Sequence, residues 1–263
     1  MTNILSSIVL ALLLLQGVGG KGGIGGNGGF GRGSGGGTLP PTMTNRWPIY
    51  TVPGAACGGT CTTGSSVNPI ADQVGSNDLT DAYGCDKPYY VASAVNSQPA
   101  IDFFQSSCHT NNLSISTPIP TSVTTITLYA VVKIPPGSGW YIVGQSSGGQ
   151  LSWRINGGKQ ELLVGGVGSI VTGSATIDSG AWETLACSYN SATGVGNLYT
   201  ISGGIATLDA TATNVVVISN ALTNVGNGSS ANGTQMAELG YLNGISGTTL
   251  SQIAAWSLYK YGI

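Results

Sequence analysis

From Thr124 to the C-terminus, apolar and polar side chains alternate in short segments set apart by glycine, proline, asparagine and serine. A period of two sends successive side chains to opposite faces of a pleated strand, so each segment predicts a strand with one face buried. The clearest is Thr125–Ile134, rich in β-branched residues and stopped by Pro135-Pro136-Gly137. Further strands are predicted at Trp140–Val143, Leu151–Ile155, Glu161–Val164, Trp182–Tyr189, Asn197–Ile201, Asn214–Ile218 and Met236–Leu242. Asn156-Gly157 is a hairpin signal, because both residues tolerate positive φ. Strands recurring at this rate, with turn chemistry between them, predict an all-β sandwich of two antiparallel sheets. One helix is expected, Thr249–Tyr259, with Leu250, Ile253, Ala254, Ser257 and Leu258 on one side and Thr248 or Thr249 as its cap.

The front of the chain is patterned differently. Ile4–Leu15 is almost wholly apolar, with no alternation. As a helix it would span about 18 Å, short of the ~30 Å hydrocarbon core, so no transmembrane span is expected. Two readings stay open. Leu5 with Leu12 and Ile8 with Leu15 repeat at seven-residue spacing, which suits an assembly peptide packed against copies of itself or a partner. A secretory signal has an apolar region of this length, but it wants positive charge ahead of it, and the first basic residue, Lys21, comes after. Gly17–Gly37 is glycine-rich without a strict triplet period, which predicts a linker rather than collagen. The organisation expected is therefore an apolar segment (1–16), a Gly/Pro-rich linker (17–42), a cysteine-containing lead-in (43–66) and the sandwich (67–263).

Composition narrows the partners. Charged residues make up 7% of the 263-residue chain, against about 25% in ordinary soluble domains. The net charge is −2 with no basic run, and phosphate binding needs several Lys or Arg to release counterions, so no nucleic-acid partner is expected. Surfaces dominated by Gly, Ser, Thr and Asn suit an extracellular or virion location. Of the five cysteines, Cys57, Cys61, Cys85 and Cys108 fall close together and are candidates for loop disulfides. Cys57–Cys61 with Cys85–Cys108 is one of three pairings that four cysteines allow. Zinc is disfavoured, because Cys57 and Cys61 lack C-x2-C spacing and His109, in a polar loop, is the sole histidine. Cys187 lies in an alternating strand and reads as a buried apolar thiol.

Several phrases then occur in a familiar order. Ala71-Asp72-Gln73-Val74-Gly75-Ser76-Asn77-Asp78-Leu79 comes first, followed by Lys87-Pro88-Tyr89-Tyr90 and Gln98-Pro99-Ala100-Ile101-Asp102-Phe103. Leu128–Lys133, Gly180–Tyr189, Leu198-Tyr199, Ala237-Glu238-Leu239 and Leu250–Ile263 complete the order. Together, over about residues 67 to 263, they resemble the laminin G-like domains of the concanavalin A-like lectin/glucanase superfamily, of the kind found in bacterial and phage proteins. The family's opening Trp is missing near Asn68–Ala71, and its basic residue is missing around Asn243–Ile245. The resemblance implies a concanavalin-like jelly-roll sandwich with a short C-terminal helix. Calcium is the ion it implies, and Asp78, Asp81 and Asp86, near Asn77, supply oxygen ligands of the right kind.

Candidate chemistry is sparse. Hydrolases on this fold carry paired carboxylates on one strand, whereas Glu161, Glu183 and Glu238 are each isolated in sequence from other acids. No G-x-S-x-G elbow surrounds a serine, and the linker lacks the Gly-Lys-[Ser/Thr] of a phosphate loop. No enzymatic activity is expected. Glycan recognition needs exposed aromatic rings beside orienting polar groups, and Trp140 with Tyr141, and Tyr241 with Asn243, are the candidates. Trp153, Trp182 and Trp256 read as core. The resulting expectation is a non-enzymatic, virion-associated decoration or attachment protein, its sandwich facing surface glycans and residues 1–40 docking it to other proteins or its own copies. A secreted bacterial carbohydrate-binding protein is the alternative, and a glycoside hydrolase or lyase the distant one.

Overall fold

The computed structural model describes residues 39–81, 87–103, 112–119, 124–144, 148–227, 233–244 and 247–263. The strands in chain order begin with β1 (Asn45–Pro48), β2 (Leu79–Asp81), β3 (Tyr89–Val95), β4 (Gln98–Asp102) and β5 (Leu113–Ile119). Next come β6 (Thr125–Lys133), β7 (Trp140–Val143), β8 (Leu151–Asn156), β9 (Lys159–Val164) and β10 (Gly168–Thr172). Last are β11 (Trp182–Asn190), β12 (Val195–Ser202), β13 (Ile205–Thr213), β14 (Leu222–Asn227) and β15 (Gln235–Asn243), followed by the helix α1 (Gly247–Tyr261). One sheet has the order β13-β12-β11-β6-β15-β4-β3, the other β10-β9-β8-β7-β14-β5-β2. Neighbouring strands in both sheets are antiparallel, and half of the neighbours in these orders are far apart in sequence, as in a jelly roll.

The core lies between the sheets. Ile126, Leu128, Ala130 and Val132 of β6 face it with Leu185, Cys187 and Tyr189 of β11, and they meet Trp140, Trp153, Leu162 and Val164 from the opposite sheet. β6 is buried from Ile126 to Val132 without a break. An antiparallel strand buried on one face should alternate; this one does not, because α1 covers the other face. Tyr129 and Ala186 of that outer face pack with Ile253 and Ala254, and Val131 and Ala237 pack with Trp256 and Tyr261. Leu258, expected on the packed side of the helix, is 47% exposed.

The lead-in is part of the sandwich. The free edge of β15 is shared end to end: Gln235 and Met236 pair with β4, and Glu238–Tyr241 pair with β1. Trp47 and Ile49 are fully buried in the inter-sheet core, and the Trp47 indole N–H donates to the Asn77 carbonyl at 2.6 Å. The domain therefore starts near Met43, ahead of the boundary at residue 67. Cys57 and Cys61 form a disulfide in the turn that follows, while Cys85, Cys108 and His109 lie outside the described residues.

One predicted strand is absent. Residues 214–218 run as irregular chain after β13, with Val216 buried between exposed Val215 and Val217. The Tyr189 hydroxyl accepts the Val216 N–H and reaches the Asn214 carbonyl, so backbone groups that a strand would pair are taken by one side chain.

Beneath α1 lies a polar cluster sealed from water. Glu238, fully buried, accepts from Arg46 Nε, the hydroxyls of Tyr129 and Tyr261, and Trp256 Nε1. Burial works against the Arg46 charge, but Glu238 outweighs it and holds the guanidinium above its ordinary range. Burial first, then Glu238, pushes the Tyr129 and Tyr261 hydroxyls far up, so both stay protonated donors. Gly240 makes room for this: a Cβ there would collide with the Tyr129 ring, which crosses β15 to reach Glu238.

Cys187 is buried and unpaired, as its alternating strand predicts, and burial raises its thiol well above the usual range. Without thiolate character or access it should be inert. Alkylation of native protein followed by peptide mapping should leave Cys187 unmodified, with labelling complete only after denaturation; fast native labelling would contradict its burial.

Candidate ligand-binding site

The four aromatic and polar candidates do not form one site. Trp140 and Tyr141 are adjacent in a strand and so face opposite sides of the sheet. Trp140 is 1% exposed and packs against Phe103 at 5.4 Å between ring centroids. Tyr241 belongs to the other sheet, points into the inter-sheet core and is 2% exposed. Neither offers a stacking face. Both positions fall in the inward phase of their strands, a phase fixed by Ile142 in one and by Leu239 in the other. Asn243 is exposed at the end of β15, and its N–H donates to Thr44 Oγ1 at 3.1 Å. Tyr141 alone reaches an outer sheet face. Trp153 and Trp256 are core, but Trp182 is partly exposed.

Around Tyr141 the register assembles a polar row on the outer face of the seven-stranded sheet. Tyr141 of β7 pairs with Arg154 of β8, which pairs with Glu161 of β9. Their inward neighbours Trp153, Ile155 and Leu162 fill the core, so the three point away from it. Arg154 Nε donates to Glu161 Oε2 at 2.6 Å, and Nη1 donates to the Tyr141 hydroxyl at 2.9 Å. The guanidinium carbon sits 5.5 Å from the Tyr141 ring centre, a cation–π distance. Asn156 Nδ2 adds a second donor to Glu161 Oε2 at 3.3 Å. Burial pushes the Glu161 carboxyl up, but hydrogen bonds from Arg154 and Ser169 and the Arg154 charge outweigh it and hold the pKa below the usual value. Glu161 is thus an anion at neutral pH. Arg154 keeps 27% of its side chain exposed. The arrangement presents a clamped guanidinium fork, a fixed carboxylate and an aromatic ring on rigid strands, which suits hydrogen bonding to neighbouring hydroxyls beside a flat apolar surface.

The hairpin β8–β9 sets this register. Its two-residue turn is Gly157-Gly158, with φ of +56° and +74°. The sequence signal Asn156-Gly157 is one residue early. A turn there would have paired Arg154 with Lys159, two cations; the actual turn pairs it with Glu161.

Two of the three acidic candidates for calcium, Asp78 and Asp81, lie among the described residues. Asp78 turns its Oδ1 onto the Asp72 N–H at 2.9 Å, and Asp81, at the end of β2, donates its N–H to Asn68 Oδ1 at 3.0 Å. Asp86 lies outside the described residues. Among the described residues no three His, Cys, Asp or Glu side chains converge as metal ligands, so the described part of the set does not fit a calcium cage. Of the glutamates, Glu238 is sealed beneath α1. Glu183 is partly exposed and accepts from Ser179 Oγ at 3.1 Å; burial and then the nearby Asp178 raise its carboxyl. Among the described residues no helix is long and apolar enough to cross a membrane.

No family model and no curated protein matches the chain. Solved structures do. The binding domain of Paraclostridial Mosquitocidal Protein 1 superposes with a TM-score of 0.59 at 11% identity, covering 83% of this chain and 52% of that one. Trypanosoma rangeli sialidase gives 0.51 at 10% identity over 83% of this chain and 33% of the enzyme. A GH54 α-L-arabinofuranosidase gives 0.51 at 12% identity over 83% of this chain and 60% of the enzyme. The chain thus spans between a third and three fifths of these neighbours. At such identities the likeness establishes the β-sandwich fold that they share with it.

Proposed function

We propose that this chain is a lectin-like module of the laminin G-like kind, binding glycans without catalysis, displayed on a virion surface or outside the cell and docked through residues 1–40. The observation that carries the reading is the Tyr141–Arg154–Glu161 row, an aromatic ring and two opposite charges held rigidly on an outer sheet face. The neighbours support it in kind: one is named a binding domain and two are glycosidases. A surface with little charge and the Cys57–Cys61 disulfide suit an oxidising, extracellular setting. The non-enzymatic reading is supported by how the glutamates are used: Glu161 is clamped by Arg154 and Glu238 is sealed beneath the helix.

The test is a glycan array with the full chain, with and without calcium, repeated with Arg154→Ala. Binding of a defined glycan set is expected, weakened at least tenfold by the substitution, which removes hydrogen bonds to a charged group. A blank array, or an undiminished signal from Arg154→Ala, would remove this site. Hydrolysis of any arrayed glycan that Glu183→Gln abolishes would overturn the non-enzymatic reading.

A further inference from the structure

A second row crosses the outer face of the eight-stranded sheet, at the strand ends beside α1. Tyr89 of β3 pairs with Asp102 of β4, Asp102 with Gln235 of β15, Gln235 with Lys133 of β6, and Lys133 with Trp182 of β11. Ile101, Met236 and Val132, next to three of them, point into the inter-sheet core, so this row points outward. All five side chains are partly exposed. At about 4.8 Å per strand, four steps put Tyr89 and Trp182 about 19 Å apart.

The chemistry along the row is mixed in a particular way. An aromatic ring stands at each end. Between them, Gln235 Nε2 donates to Asp102 Oδ2 at 3.0 Å, which fixes the carboxylate. Asp102 is partly exposed, with its Oδ1 closed to solvent and without a hydrogen-bond partner among the described residues. Lys133 makes no ion pair among the described residues. A partly exposed carboxylate is an acceptor, and an ammonium with no ion pair among the described residues, on the next strand but one, is a donor. A ligand that satisfies both must carry donors and acceptors along its length, and it must offer flat apolar faces to the rings at either end. Linear oligosaccharides do this, since each sugar unit has a hydroxylated rim and an apolar face.

We infer that Tyr89, Asp102, Gln235, Lys133 and Trp182 form a second recognition site, for a linear oligosaccharide lying across the strands. It goes beyond the Tyr141–Arg154–Glu161 site: it occupies the outer face of the other sheet and shares no residue with it. One sandwich then grips glycan on both outer faces, which makes a single domain bivalent.

The experiment uses full-length protein labelled with nitrogen-15 and titrated with malto-, cello-, xylo- and chitohexaose. With at least one hexaose, the Trp182 indole resonance, assigned by its loss in Trp182→Phe, is expected to shift on binding. Trp182→Ala and Asp102→Asn should each weaken that binding at least tenfold, with Arg154→Ala leaving the Trp182 shift in place. Arg154-dependent binding with an unmoved Trp182 resonance would overturn the second site and leave the first standing. A Trp182 shift produced only by an extended polar peptide such as poly-asparagine, and by no hexaose, would also overturn it, because the occupant would then be a protein chain. Silence of every hexaose at both sites would overturn both.

Discussion

Glu238→Gln should destabilise the protein by about 3–5 kcal/mol, the range for breaking a buried ion pair by removing one partner. Four donors converge on this carboxylate: Arg46 Nε, two tyrosine hydroxyls and the Trp256 indole. An amide offers them one acceptor oxygen and turns an NH2 group toward the rest. It also leaves Arg46, with 7% of its side chain exposed, as an uncompensated charge beneath α1. For a domain of this size, each kcal/mol moves the melting temperature by roughly 2–4 °C, so a fall on the order of 10 °C is expected in a thermal melt. The double variant Arg46→Met/Glu238→Leu should lose less than Glu238→Gln alone, because no charge is stranded. If the single variant melted within a degree of wild type, the cluster would not be holding the helix. Tyr50 belongs to the same assembly: its hydroxyl accepts from Arg46 Nη2, and Lys260 Nζ lies 3.7 Å from its ring centre.

A chain beginning at Val67 should fail to fold, whereas one beginning at Leu39 should fold. The shorter chain loses Trp47 and Ile49 from the core, and truncating a buried Trp alone costs about 3–5 kcal/mol. It also removes Arg46 from Glu238 and bares the β15 edge from Glu238 to Tyr241. Together these losses match or exceed the about 5–15 kcal/mol that holds a typical domain folded. Circular dichroism and amide dispersion of the two chains decide the matter. A cooperative melt from the chain starting at Val67 would show that β1 is an addition to the sandwich rather than a part of it.

The strands that sequence patterning identified are those whose two faces differ or whose β-branched density is high: β6, β7, β8, β11 and β15 appear where alternation put them. β1 escaped because Asn-Arg-Trp-Pro carries no alternation; its place is set by a partner strand near the other end of the chain, which local pattern does not encode. Val215-Val216-Val217 misled in the opposite sense, since β-branched content is only a tendency and the Tyr189 hydroxyl claims the backbone there. The Tyr141–Arg154–Glu161 row is legible in the sequence. Arg154 and Glu161 are equidistant from Gly157-Gly158, and asking which turn pairs opposite charges would have selected it over Asn156-Gly157. The outward row from Tyr89 to Trp182 is not, because it joins five strands whose order in the sheet no periodicity reveals. Aromatic character makes Trp140 and Tyr241 candidates, but the alternation of their own strands turns them inward.

The pairing of β1 with β15 also sets a timetable. Arg46 and Glu238 are 192 positions apart, so β1 waits for β15 before its edge is satisfied. Closing contacts of such long sequence separation is slow, and the core around Trp47 stays open until β15 has been made. Throughout that interval the nascent chain exposes apolar strands with few charges to discourage pairing with other chains. The yield of this domain in the cell should therefore depend on holdase chaperones more than its final stability suggests.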